Sequence, residues 1–144
     1  MLRSSVILQK LGNNLVGVFD IALPVVHGTN VEDGTLMGML EMLGVPYTGC
    51  DVLSSALGMD KFAMKAVLRQ AGLPVLDATA FTGRQFAVEE EKILKEIEGK
   101  FEYPVIIKPV NLGSSVGISL ASDRTSLKKA LDTAFSFSSK ALVE

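Results

Sequence analysis

The chain has 144 residues, with 14 Lys plus Arg against 16 Asp plus Glu, one His and a formal net charge of −2. That length suits one domain, or one domain and part of a second, able to bury roughly two thirds of its unfolded surface. An apolar content of 48% at low net charge excludes a disordered chain. The near-neutral balance leaves no electrostatic footprint for nucleic acid or an anionic membrane. Cys50 is the single cysteine, so no intrachain disulfide forms and a reducing compartment fits. The most apolar run, Leu15 to Val26, is too short to span a bilayer and carries Asp20 and Pro24. The expectation is a soluble, cytoplasmic protein.

In chain order, the first dozen residues show no period and read as a lead-in. VGVFDIALPVV, Val16 to Val26, predicts a buried strand of a parallel sheet, apolar on both faces. The polar cluster HGTNVEDG, residues 27 to 34, predicts a connecting turn, and Asp33 is placed to cap a helix carrying Leu36, Met37, Leu40 and Leu43 that stops at Gly44. VPYTG predicts a short strand and DVLSSALGMD a short helix or turn, an order that argues for an α/β layer with a mostly parallel sheet.

A second unit begins near Asp60. DKFAMKAVLRQAG predicts a helix closed by Gly72 and Pro74, followed by an extended piece from Ala78 to Thr82. A charged helix is expected from Val88 to Gly99, with Ile93, Leu94 and Ile97 as its apolar stripe. YPVIIKP predicts a strand, VNLGSSVG a loop and GISLA another strand. Ser122 or Asp123 then caps a helix whose Leu127, Leu131 and Phe135 recur every four residues, and ALVE starts a further strand.

Two segments can carry chemistry. In KPVNLGSSVG, Lys108 ends a strand and is followed by a turn rich in Gly and Ser. Such a turn lets backbone N–H groups and hydroxyls surround a phosphate, with Lys108 as the point charge. The same residues also suit a plain hairpin with a solvated lysine. The spacing matches neither a Walker A loop nor a G-x-G-x-x-G dinucleotide fingerprint. In HGTNVEDG, Glu32 can hold a cationic group and His27 can orient a substrate; alternatively Asp33 is a helix cap and His27 an ordinary loop residue. No second cluster completes a metal site around them. Lys61 opens a helix, where the dipole disfavours a cation, so an anion could be its partner. Cys50 has no neighbouring base and reads as structural.

Taken together, VVHGTNVEDGTLMGMLEMLGVPYTG, SSALGMDK with AGLPV, YPVIIKPVNLGSSVGIS and KALVE resemble, in order from about Phe19 to Glu144, the D-alanine–D-alanine ligase family of the ATP-grasp superfamily. The resemblance implies α/β architecture, with part of an N-terminal parallel α/β domain over 1–59 and a first ATP-grasp subdomain, α+β, over 60–144. It implies ATP-dependent joining of two D-alanines through an acyl phosphate, for peptidoglycan. Carried over by motif, Lys61 and Lys108 would be the nucleotide-binding lysines. Gly113, Ser114, Ser115 and Gly117 would form the loop closing over the phosphates, with Gly113 as hinge. Glu144 would sit beside the adenine. Ser114, Glu32 and His27 would line the D-alanine side. The resemblance also implies Mg²⁺, with none of its ligands among these residues, and a homodimeric parent.

Two departures stand out. Val31 replaces a glycine before the Glu-Asp pair, and a Gly-rich opening strand is not found in Met1 to Asn14. The family's metal ligands and most of its D-alanine pocket would lie beyond Glu144, so the expectation for this chain alone is a fragment without catalysis. Alternatives are a related ligase with D-lactate or D-serine as acceptor, and a short non-catalytic interaction module.

Overall fold

A computed structural model describes residues 6–9 and 15–144, with side chains from Asp20 onward. The chain divides into two compact units, Met1–Ala56 and Leu57–Glu144.

In the first unit β1 (Val6–Gln9) pairs antiparallel with β2 (Leu15–Phe19), Val6 opposite Phe19, with a register shift at Leu8/Gln9. The expected lead-in therefore contains a strand; its remaining residues lie outside those described. The strand expected over Val16–Val26 ends at Phe19, and beyond it only Ala22 pairs, in a parallel bridge with Tyr47. Leu23, Val25 and Val26 are exposed. β-Branched residues favour a strand only where neighbours receive them, and Pro24 cannot donate to a ladder. The short strand expected at VPYTG is this same single bridge, so among the described residues parallel pairing is confined to it.

Helix α1 (Thr35–Met42) buries Met37 and Leu40, with Val45 just beyond it, and ends at Gly44 in the left-handed region (φ 66°). Its N-cap is Gly34, not Asp33. Gly34 has φ 88°, and a Cβ there would lie 2.8 Å from the Val52 carbonyl oxygen. Asp33 works from one residue earlier, accepting from the Thr35 N–H (3.0 Å) and the Asn30 N–H (2.8 Å). Those backbone bonds hold its carboxyl below the usual carboxylate range. Helix α2 (Val52–Met59) begins where Asp51 accepts from the Ser54 N–H at 2.7 Å.

The second unit is a four-stranded antiparallel sheet with helices packed on it. Helix α3 (Lys61–Gln70) is capped by Asp60, which accepts from the Phe62 and Ala63 N–H groups, and stops at Gly72 (φ 77°). Next come β3 (Thr79–Thr82), α4 (Gly83–Lys100), β4 (Val105–Pro109), β5 (Ser119–Ala121), α5 (Arg124–Phe137) and β6 (Lys140–Val143). The strand order is β3-β6-β4-β5.

Helix α4 starts earlier than its expected onset at Val88. Thr82 and Gln85 form a capping box, and the helix is kinked at Glu89 (φ −125°, ψ 34°), just where the charged stretch begins. In α5 the cap is Asp123, through a capping box with Ser126. Burial alternates along β4: Val105, Ile107 and Pro109 are buried while Ile106 and Lys108 are half-buried on the opposite face. The first face packs against Phe86, Ile93, Leu94 and Ile97 of α4 and Leu127, Ala130, Leu131 and Ala134 of α5. On the second face Leu142 and Val110 pack with Ala78 beneath Phe62 of α3. Among the described residues no helix is long and apolar enough to cross a membrane.

Candidate functional site

The antiparallel register sets Lys108 opposite Leu142, and just past the end of β6 the Glu144 backbone exchanges both hydrogen bonds with Ile106 of β4 (2.7 and 3.0 Å). Lys108 and Glu144 are therefore diagonal neighbours on the second face of the sheet, within reach of each other. Lys108 Nζ donates to Glu144 Oε1 at 2.5 Å. From α3, Lys65 Nζ lies 2.5 Å from Oε2 and also donates to the Leu76 carbonyl at 3.1 Å. The Glu144 side chain is only 5% exposed. Burial pushes its carboxyl up, but the two lysines outweigh it and hold Glu144 below the usual carboxylate range.

Lys61 lies one helical turn before Lys65, on the same face of α3. Its Nζ donates to the carbonyls of Pro109 (3.4 Å), Val110 (3.3 Å) and Leu112, closing the end of β4 and the base of the following loop. Burial, and then the positive charge of Lys108, lower the Lys61 ammonium below the usual lysine range. Two lysines, Lys65 and Lys108, thus hold one buried carboxylate while Lys61 stands beyond Lys108, and an arriving anion would relieve the repulsion between Lys61 and Lys108. Leu120 of β5, opposite Ile106, is 62% exposed and extends this face as an apolar surface.

The loop after β4 turns tightly. Val116 N–H donates to the Gly113 carbonyl and Ile118 N–H to that of Ser115. Ser114 (φ 52°) and Ser115 (φ 58°) both occupy the left-handed region, a cost of roughly 1–3 kcal/mol each. Both are exposed. Gly117 (φ 72°) is fixed by space as well: a Cβ there would lie 2.7 Å from Pro109 Cγ and 2.9 Å from Phe137 Cδ2. Gly113 has nothing within 4 Å of a built Cβ. Buried Ser138 donates to Asn111 Oδ1 at 2.8 Å, tying the loop base to the end of α5. Replacing Gly117 by Ala is expected to destabilise the second unit by about 2 kcal/mol, read as a lower urea midpoint, whereas Gly113→Ala should shift it far less.

His27 and Glu32 lie in the first unit. Glu32 Oε2 accepts from the Gly28 N–H at 2.7 Å and so staples the turn, and His27 Nδ1 is 3.8 Å from Glu32 Oε1 with its side chain 90% exposed. Of the residues singled out in the sequence, the structure brings Lys61, Lys108 and Glu144 together beside the Gly113–Gly117 loop. Lys65 escaped the sequence reading, although its spacing of four from Lys61 was the available clue. Among the described residues no group of three or more His, Cys, Asp or Glu side chains could hold a metal ion.

The fold and site define a mixed helix-and-sheet segment with a lysine cluster beside a glycine-rich loop. The family described as D-ala D-ala ligase C-terminus matches residues 67–144, and D-ala D-ala ligase N-terminus matches residues 4–50. The chain is 47% identical over 125 residues to the D-alanine–D-alanine ligase of Acetivibrio thermocellus, covering 87% of this chain and 33% of the relative. It is 45% identical over 136 residues to that of Ruminiclostridium cellulolyticum, covering 94% and 36%. Among solved structures, the VanG D-Ala:D-Ser ligase from Enterococcus faecalis superposes with a TM-score of 0.81 at 41% identity, over 91% of this chain and 37% of that one. The D-alanine–D-alanine ligase from Coxiella burnetii gives 0.74 at 36% identity, over 87% and 36%. The chain belongs to the D-alanine–D-alanine ligase family. It spans about a third of the length of the curated relatives it matches.

Proposed function

We propose that this chain forms the nucleotide-binding part of an ATP-dependent ligase that joins two D-alanines. The observation that carries the reading is the surplus of positive charge on the second sheet face, where Lys65 and Lys108 hold a single buried carboxylate and Lys61 stands beyond Lys108 beside a glycine-rich loop. That arrangement suits a polyphosphate, and the apolar Ile106–Leu120 surface beside it suits a base. In this reading residues 1–59 belong to an N-terminal α/β domain and 60–144 to the first ATP-grasp subdomain.

The chemistry has two steps. A carboxylate oxygen of the first D-alanine attacks the γ-phosphorus of ATP and ADP departs, leaving an acyl phosphate. The amine of the second attacks the acyl carbon, phosphate leaves and the amine loses a proton. Lys61 and Lys108 would stabilise charge on the phosphates, and the N–H groups and hydroxyls of Gly113 to Gly117 would close over them. Glu144 would orient Lys108 next to the base. Ser114, with His27 and Glu32 from the first unit, would serve the D-alanine side. Mg²⁺ chemistry belongs to this reaction class, but the described residues do not form a site for the ion, and no step is assigned to it. The setting is cytoplasmic, within a homodimer, in the synthesis of peptidoglycan precursors.

The acceptor is read as D-alanine because the curated relatives carry that name. The test is phosphate release from ATP by the enzyme containing this segment at its relatives' length, with D-alanine alone and with D-lactate or D-serine added. D-Alanine alone should support turnover. A requirement for D-serine or D-lactate would replace the acceptor, and ATP-independent behaviour in all three would remove the ligase reading.

A further inference from the structure

We propose that Lys65 is a positioning residue of the site: it occupies one oxygen of Glu144, fixing that carboxylate so that Lys108 engages only the other oxygen and keeps its remaining donors for an anion. This rests on the nucleotide reading above and adds a residue to it.

The geometry is built for the purpose. Lys65 is 14% exposed and its Nζ touches Glu144 Oε2 at 2.5 Å while donating to the Leu76 carbonyl at 3.1 Å. It is therefore held from a segment outside the sheet. Glu144 Oε2 is fully buried, and the Lys65 ammonium 2.5 Å away is what compensates it. An ionised oxygen in that position without a cation is costly, and the carboxylate would turn towards Lys108 or take up a proton. Turned that way, it would spend two acceptors on Lys108 and cancel the charge that a phosphate needs. The titratable groups facing Glu144 are Lys65 from α3 and Lys108 from β4; Lys61 stands beyond Lys108.

The expected effect of Lys65 follows from linkage. With two cations beside it, Glu144 has its folded-state value depressed, so the stability it contributes is present above its unfolded value and is lost as pH falls through the folded one. Removing Lys65 moves that acid limb upward.

The test uses this chain with ¹³C-labelled glutamate, following the Glu144 Cδ shift against pH. The wild-type carboxyl should titrate below the ordinary range, Lys65→Met should raise its midpoint by about one unit, and Lys65→Arg should restore it. An unchanged midpoint in Lys65→Met overturns the proposal, whatever the enzyme does. In the enzyme at its relatives' length, Lys65→Met should raise KM for ATP about tenfold with kcat within about threefold. In a Glu144→Gln background the same change should have no further effect on KM, a cycle that holds even where Lys65→Met alone folds poorly. An undiminished effect in that background also overturns it. Failure of the wild-type enzyme to use ATP at all would overturn the nucleotide reading and leave the Glu144 titration to judge Lys65 separately.

Discussion

Replacing Lys108 by Ala is expected to lower kcat/KM for ATP by at least about a hundredfold in the enzyme that contains this segment, or roughly 3 kcal/mol of transition-state stabilisation. Two losses add. The point charge that would face the transferring phosphoryl group disappears, and Glu144, 5% exposed, keeps only Lys65 as a partner. The repulsion that lowers Lys61 also goes, so Lys61 should become harder to deprotonate. Lys108→Arg retains charge but spreads it over a planar fork, and should recover only part of the rate. Coupled measurement of ADP release checks the loss, with a melting curve to show that the variant is folded. Activity within tenfold of wild type would count against a phosphate role for Lys108.

Replacing Leu131 by Ala is expected to destabilise the second unit by about 3–4 kcal/mol. Leu131 is 0% exposed and belongs to the cluster that joins α5 to α4 and the sheet. Its neighbours on α5, Leu127, Ala130 and Ala134, are buried too, so the helix has little freedom to slide into the gap. Leu120→Ala supplies the contrast. That side chain is 62% exposed on the other face, and its loss should move stability by no more than about 0.5 kcal/mol. Urea titrations of both variants decide the matter, and equal midpoint shifts would contradict the burial described.

Legibility in the sequence followed the strength of local chemistry. Gly72, Asp123 (read with Ser122 as the alternative) and the four-residue spacing in α5 are short-range signals that the structure uses, whereas Asp60, read only as the start of a second unit, turns out to cap α3. Helix α4 begins earlier than the sequence predicts because its onset depends on Thr82 and Gln85, a polar pair with the composition of a loop, ahead of the charged stretch after the kink. The run through Asp20 to Val26 misled for the opposite reason. Its composition suits a strand, but strand formation needs partners, and only Ala22 has one. Antiparallel order in the second unit depends on pairing between distant segments, which no window of sequence displays. The motifs named Lys61, Lys108 and Glu144 individually. The register between β4 and β6 puts Lys108 and Glu144 on one face, and the packing of α3 over that face brings Lys61 and Lys65 to it.

That register has a consequence for biosynthesis. β6 lies inside the sheet, between β3 and β4, yet it is the last of the four strands to be made. Thr79 must wait for Val143 before it finds its partner, whereas β4 and β5 can pair as soon as both have emerged. The nascent chain therefore leaves the ribosome with a gap at the centre of its sheet and with α4 and α5 still seeking their full footing. Non-local closure of this kind is slow and leaves edges exposed in the interval. Residues 140–143 act as the closing stitch, and a chain stalled before them would hold the β4–β5 pair and an unpartnered β3 instead of one sheet.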